Sequence, residues 1–232
     1  MPMLVYGVCI GPSETYDRVC KPSLPEGSVV LERHQQSSIF VAYNAILDDF
    51  MGLVGAEALV LLHDDVEIRP AFERQVRAAL DSGASIIGAI GSLHPRSIAW
   101  WEGDQRGCVV EPYRRFDYGG GLHEVDTIDG LIMVLSHRCA SEVRFDEETF
   151  TGFHGYDIDF CFEARRRGHK VIVTDLDLVH HTKGSRGDVN AWRQADIQWK
   201  RKWGFLSTIG FLLQHFLLRY HRIVHRLHNY AR

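Results

Sequence analysis

Short apolar runs alternate with helical patterns along this chain, and that alternation constrains the fold more than any other feature. Consecutive apolar residues read as buried strands, and apolar residues spaced three and four apart read as helices. The predicted elements are strands over residues 3–10, 28–32, 59–62 and 85–90 and helices over residues 38–53 and 71–83. Strands that alternate with helices form a parallel sheet with helices on its faces. The sequence therefore predicts an α/β fold with a largely parallel sheet.

The regular pattern stops between residues 91 and 123 and resumes afterwards. This segment is rich in glycine and contains two prolines and the pair Trp100 and Trp101. A long irregular loop in a compact domain is usually functional or mobile, so we expect such a loop here. The elements predicted after it are a strand within 125–136, a turn or short helix over 137–142, a helix over 156–167 and strands after Gly168 and up to Val179.

Composition places the chain among globular proteins of the cytoplasm. Of its 232 residues, 45% are hydrophobic and 24% are charged, which is enough to bury a full core as one domain. The five cysteines are widely spaced, and the first residues do not read as a secretory signal. Both features favour a reducing compartment.

The C-terminal segment differs in charge from the rest of the chain. Residues 193–232 carry eight Lys or Arg against one acid, which leaves a net charge of about −11 on the residues before them. Apolar residues recur at helical spacing from Ile209 to Leu227 opposite a cationic face, which predicts a basic amphipathic helix. Such a helix can lie on an anionic membrane surface, or pack on its own domain or on a second copy in a homodimer. The acidic body argues against nucleic acid as a partner.

Polar clusters follow two of the predicted strands. His63, Asp64 and Asp65 come directly after the strand at 59–62, and His180 and His181 follow the strand that ends at Val179. Ligands of α/β sheets bind at the carboxyl ends of strands. Carboxylate oxygens there suit Mg²⁺ or Mn²⁺, and imidazole suits Mn²⁺. The alternatives are a solvated turn at the first cluster and satisfied surface histidines at the second.

Two carboxylates, Asp157 and Asp159, open the predicted helix at 156–167. At about 100° per residue their side chains lie roughly 200° apart, so they cannot face the same cleft. One can act as a base, and the other then caps the helix or forms an ion pair. The helix dipole favours the anion at this end, and nothing in the sequence favours a raised pKa for either carboxyl group.

The order of these motifs resembles that of the GT-A fold family 2 glycosyltransferases, most closely the glycosyltransferase-like branch whose metal motif reads His-x-Asp-Val. The resemblance covers about Met3 to Ser185. It implies a GT-A domain over residues 1–190, with a mixed, mostly parallel sheet flanked by helices. Residues 191–232 then form the C-terminal basic amphipathic extension.

The resemblance also implies roles for the residues of the metal motif. Asp65 matches the third position of the D-x-D motif, which binds the metal, and Asp64 fills the variable middle position. His63 stands where many relatives have Asp. His181 resembles the late histidine that contacts metal or phosphate, and His180 fits that role nearly as well.

Further roles follow from the same resemblance. Asp157 matches the base that deprotonates the acceptor, and Tyr156 stands in the glutamate position before it. Glu32 matches a contact to the nucleotide base, and Asn44 matches an asparagine that supports the metal loop. Asp129 and Gly130, the "DG" step, match the border of the donor sugar and the acceptor. For Glu32, Asn44 and this step, a purely structural role is an equal alternative.

Taken together, the resemblance implies a glycosyltransferase of hexosyl or deoxyhexosyl type that requires Mn²⁺ or Mg²⁺. It would move a sugar from a nucleotide-diphosphate-sugar donor to a hydroxyl of a glycan or glycolipid, with inversion, at the cytoplasmic face of the plasma membrane. Two other interpretations stay open: a divalent-metal phosphohydrolase, and an inactive scaffold that binds a nucleotide sugar.

Overall fold

A seven-stranded mixed sheet forms the centre of the protein, whose computed structural model describes residues 3–182 and 188–205. The strands follow the order β2-β1-β3-β11-β5-β12-β9 across this sheet. Their bounds are β1 Met3–Ile10, β2 Val29–His34, β3 Ala56–His63, β5 Ile86–Gly88, β9 His123–Glu124, β11 Ile132–Ser136 and β12 Val171–Val173. Five of the seven run in one direction, and only β11 and β9 run against it. The predicted α/β fold with a mostly parallel sheet is confirmed.

Helices cover both faces of this sheet. Their bounds are α1 Lys21–Ser23, α2 Ile39–Met51, α3 Phe72–Asp81, α4 His137–Glu142, α5 Tyr156–Arg166 and α6 Val189–Lys202. Because side chains alternate across a strand, each strand contributes to two cores. Leu59 and Leu61 of β3 pack in the core that contains α2 and α5, and Val60 and Leu62 pack in the core that contains α3.

A second sheet occupies much of the segment predicted to be irregular. Its strands are β4 Val66–Ile68, β6 Ile90–Leu93, β7 Asp104–Glu111, β8 Arg114–Asp117, β10 Thr127–Ile128 and β13 Leu178–His180. The prediction of a loop over 91–123 is therefore wrong for β6, β7 and β8. Gly107 explains part of the difference: its φ is +86°, and a Cβ there would lie 2.2 Å from the carbonyl oxygen of Ala89.

The strand predicted over 85–90 is divided between the two sheets. Residues 86–88 form β5 in the main sheet, and β6 begins at Ile90 in the second. Ala89 lies between them, and its carbonyl oxygen accepts a hydrogen bond from Cys108 N–H of β7. The chain thus changes sheets within one residue, which brings the second sheet to the carboxyl ends of the first.

Helix α6 packs on the domain. Trp199 is fully buried, and its ring meets Phe162 of α5 at a centroid distance of 4.9 Å. The predicted domain boundary at residue 190 falls inside this helix. The amphipathic helix predicted from Ile209 onwards lies outside the described residues. Within the described part of the chain, no helix is long and apolar enough to cross a membrane.

Candidate active site

Three side chains from two strand ends form a candidate metal site. His63 ends β3, Asp65 lies in the turn between β3 and β4, and His180 ends β13. One potential ligand atom from each lies within 4.8 Å of the others. The pairing of β13 with β4 positions His180, because it places that residue opposite Val66. The backbone N–H of His181 also donates to the Asp65 carbonyl oxygen at 2.8 Å, which fixes the turn against β13.

The potential ligand atoms of this cluster suit a cation. Asp65 Oδ1 is buried and lies 3.3 Å from Nε2 of His180, but no described group gives it a hydrogen bond of good geometry. Burial alone would raise the pKa of Asp65, but His180, His63 and a backbone contribution together outweigh burial, so the pKa is lowered. Burial, reinforced by His180, lowers the pKa of His63 and keeps its imidazole neutral. A carboxylate with an unsatisfied oxygen and two imidazoles fits a divalent transition cation.

His181 faces away from the cluster. Its Nε2 lies 2.7 Å from Oε2 of Glu67, in an ion-pair geometry on the other side of the strand end. Adjacent residues at the end of a strand point to opposite faces. The structure therefore brings His180 to Asp65 and His63, whereas the resemblance pointed first to His181.

Asp157 lies at the start of α5 in a half-buried position. Its Oδ2 accepts a hydrogen bond from Gly130 N–H at 3.0 Å. Burial, with the charge of Asp129 as the next cause, raises the pKa of Asp157 to about 7. This corrects the expectation that the helix dipole keeps the carboxyl group fully ionised, because desolvation of a buried carboxylate exceeds a dipole contribution.

Asp159 points to the opposite side of α5, as the helical geometry predicted. Its Oδ2 accepts from Lys202 Nζ and its Oδ1 from Trp203 Nε1, both at 2.8 Å. Lys202 also donates to Asp146 at 2.8 Å. The second carboxylate of this helix therefore holds the end of α6 against the domain.

Tyr156 and Gly130 are packed closely beside the candidate metal site. The Tyr156 hydroxyl lies 2.6 Å from Nε2 of His63. A Cβ on residue 130 would lie 2.1 Å from that hydroxyl oxygen, so only glycine leaves room for it. Gly130 thus places the tyrosine and also orients Asp157. Its neighbour Asp129 accepts from Leu131 N–H at 2.9 Å.

Three cavities meet at this site. One of about 440 Å³ lies at the carboxyl ends of β1 and β3, and Gly11 N–H donates to Asp64 Oδ2 at its edge at 2.9 Å. A second of about 440 Å³ lies beneath the β7–β8 hairpin and reaches Asp129 and His180. A smaller one of about 170 Å³ is lined by both His63 and Asp157. The candidate metal site therefore meets the carboxylate of Asp157 through His63, which lines the small cavity together with it.

Several lining residues were not singled out as site residues from the sequence. Trp100 and Trp101 line both the hairpin cavity and the small cavity, and Trp192 of α6 lines the small one. The Trp101 and Trp192 rings lie 6.3 Å apart. The adjacent tryptophans in a glycine-rich segment could have indicated a binding cavity, because large aromatic side chains in such a segment must pack against the protein or a ligand. Nothing in the sequence pointed to Trp192.

Two predicted residues lie outside the cavities. The Glu32 carboxylate accepts from the Tyr16 hydroxyl and pairs with His34 Nε2 at 3.0 Å. The Asn44 amide donates to the Phe145 carbonyl oxygen at 2.9 Å and its Oδ1 accepts from Phe145 N–H at 3.0 Å. Asn44 therefore holds the 145–147 segment rather than the metal loop, which corrects the expected support of that loop.

Comparison with known proteins identifies the family to which this chain belongs. A model of the glycosyltransferase-like family matches residues 24–200, so the chain belongs to that family. The "Streptomycin biosynthesis protein StrF" of Streptomyces griseus is 33% identical over 223 residues, which are 92% of this chain and 79% of that protein. Among solved structures, the crystal structure of A197 from STIV covers 76% of this chain and 83% of its own, with 16% identity and a TM-score of 0.48.

Proposed function

We propose that this protein is a glycosyltransferase that uses Mn²⁺ or Mg²⁺ to move a sugar from a nucleotide-diphosphate-sugar donor to a hydroxyl of a glycan or glycolipid. Family membership supports the transferase class. One observation carries the finer proposal: His63, which clusters with Asp65 and His180, lines the same cavity as the carboxylate of Asp157. Cation ligands and a base around one space are what transfer from a diphosphate to a hydroxyl requires.

The donor binds in the cavity at the carboxyl ends of β1 and β3. That cavity is lined by Gly11, Gln35, Asp64, Asp65 and His63, so it joins the expected position of a nucleotide to the candidate metal site. His63, Asp65 and His180 would hold a divalent cation, which would supply positive charge against the negative charge that grows on the departing diphosphate. Binding of the donor diphosphate would therefore explain why polar side chains cluster at the end of β3.

Asp157 acts as the base on the acceptor side. The acceptor hydroxyl gives its proton to this carboxylate while its oxygen bonds to the sugar carbon and the bond from that carbon to the diphosphate breaks. Attack opposite the leaving group inverts the configuration. A pKa of about 7 suits this role, because a base near the working pH accepts protons most effectively. The Gly130 N–H holds the carboxylate in place.

The acceptor enters through the hairpin cavity. Trp100, Trp101 and Asp129 line both this cavity and the small one that contains Asp157, so they connect the two. Aromatic faces beside a few polar groups suit a sugar ring, which has apolar C–H faces and a polar rim. Residues 206–232 remain our predicted contact with an anionic membrane at the cytoplasmic face or with a second subunit.

Calorimetry tests the donor side of this proposal. We expect at least one nucleoside diphosphate or nucleotide sugar from a uridine, guanosine and thymidine panel to bind with Mn²⁺ and to bind far more weakly in EDTA. Asp65→Asn should abolish the effect of metal, whereas Asp81→Asn, at an exposed position at the end of α3, should preserve it. Failure of every nucleotide to bind with either metal contradicts the proposal, as does unchanged binding in Asp65→Asn.

A further inference from the structure

Two site residues that differ from the pattern common among family 2 glycosyltransferases as a whole contact each other. His63 stands where many relatives have Asp, and Tyr156 stands in the position of a glutamate. They are 93 residues apart in the chain, yet the Tyr156 hydroxyl lies 2.6 Å from Nε2 of His63. The two departures therefore form one local structure.

The position of the Tyr156 hydroxyl is fixed by packing. The side chain is only 5% exposed, and its ring meets Phe40 and Tyr43 edge-on at centroid distances of 6.3 and 5.6 Å. On the other side the hydroxyl occupies the space that a Cβ on Gly130 would take. Because a tyrosine hydroxyl oxygen moves only with its ring, this one stays beside His63.

This contact determines which nitrogen of His63 is available. Nε2 faces the hydroxyl, so Nδ1 is the nitrogen left to act with Asp65 and His180. A histidine that binds metal through one ring nitrogen donates the N–H of the other to a neighbour, which fixes its tautomer and orientation. A hydroxyl both donates and accepts. It can therefore pair with Nε2 in either protonation state, and it would accept a hydrogen bond from Nε2–H if Nδ1 bound a cation.

We propose that Tyr156 is a positioning residue that holds His63 as a metal ligand through Nδ1, so that His63, Asp65 and His180 bind a transition-metal cation before any nucleotide arrives. This inference rests on the metal site of the proposed function and deepens it. Two imidazoles and one carboxylate favour Mn²⁺ over Mg²⁺, because Mg²⁺ prefers a shell of oxygen ligands.

Mn²⁺ titration of the nucleotide-free protein tests the inference, since electron paramagnetic resonance follows the loss of the free-ion signal. Tyr156→Phe should weaken Mn²⁺ binding roughly 10- to 100-fold, as expected when the partner of a metal-binding histidine is removed. Tyr43→Phe is the matched control and should bind like the wild type. Its ring packs on Tyr156, but its buried hydroxyl has no hydrogen-bond partner among the described residues.

A second readout separates positioning from a general loss of structure. Electron spin-echo modulation of bound Mn²⁺ should show two imidazole nitrogens in the wild type and one in Tyr156→Phe at saturating metal. Equal affinity with two nitrogens in Tyr156→Phe overturns the inference and leaves the proposed function intact. Binding in the wild type only after a nucleoside diphosphate is added does the same. Absence of Mn²⁺ binding with and without nucleotide overturns both.

Discussion

Replacing Asp157 with asparagine should stabilise the folded protein at neutral and alkaline pH. The Asp157 side chain is half-buried, and burial, with the charge of Asp129 as the next cause, raises the pKa of its carboxyl group from 3.8 to about 7. In the unfolded chain the group ionises near its ordinary value. Above pH 4 the unfolded state therefore releases a proton that the folded state retains, and folding stability falls as pH rises until the folded carboxyl ionises near pH 7.

The size of the effect follows from the two pKa values. Each unit of pKa difference corresponds to about 1.4 kcal/mol, so the buried Asp157 costs about 4 kcal/mol of unfolding free energy at pH 8. Near pH 5 the cost is smaller, about 1 to 2 kcal/mol, because pH 5 lies only part of the way from the pKa of the unfolded chain to the pKa of the folded protein. Asparagine carries no charge, and its Oδ1 can still accept the hydrogen bond from Gly130 N–H.

Urea unfolding of wild type and Asp157→Asn at pH 5 and pH 8, in EDTA, measures this difference directly. EDTA matters because a bound cation would lower the pKa of the carboxyl group. We expect the stability advantage of the variant to grow between the two pH values, while Asp81→Asn shows no such change. An advantage independent of pH, or a variant less stable at both, refutes the reasoning.

Two further predictions concern the surroundings of this carboxylate. Since Asp157 must be ionised to act as a base, kcat/KM should rise with pH to a plateau. The rise should lie at or below about pH 7, because the cation that the reaction requires would lower the pKa of the carboxyl group. Asp129→Asn should move the rise to lower pH by removing a neighbouring negative charge, and an unmoved profile would count against Asp157. Lys202→Met should lower the unfolding free energy by about 3 kcal/mol in urea titrations, because it leaves the buried Asp159 carboxylate without its cation. A loss below about 1 kcal/mol would show that the hydrogen bond from Trp203 is enough to stabilise this carboxylate.

The regular elements were predictable where burial produces a clear pattern. The apolar runs of β1 and β3 and the helical spacing of α2 placed these elements within a few residues. The hairpin of β7 and β8 escaped prediction because its residues mix charged, small and aromatic side chains. The hairpin is shaped by pairing between its strands and by the positive φ of Gly107. Neither feature produces a periodic pattern of apolar residues in the sequence.

The candidate site was predictable in residue types and less so in geometry. Positions at a strand end and at a helix start pointed to the 63–65 cluster and to the pair Asp157 and Asp159, and the resemblance to the family then selected Asp65 and Asp157. Sequence could not decide between His180 and His181, since the answer depends on the register of β13 against β4. The pKa of Asp157 was equally hidden, because it depends on burial and on Asp129, both of which arise only in the folded chain.

Turnover of nucleotide sugars tests the central claim most directly. Wild-type protein, incubated with the donor panel, Mn²⁺ and simple glycoside acceptors, should release a nucleoside diphosphate from at least one donor and attach the sugar to a hydroxyl. EDTA and Asp157→Asn should each abolish transfer, and Asp157→Asn should still bind the donor. Release of a nucleoside monophosphate and a sugar phosphate, or transfer that persists unchanged in Asp157→Asn, would contradict the account.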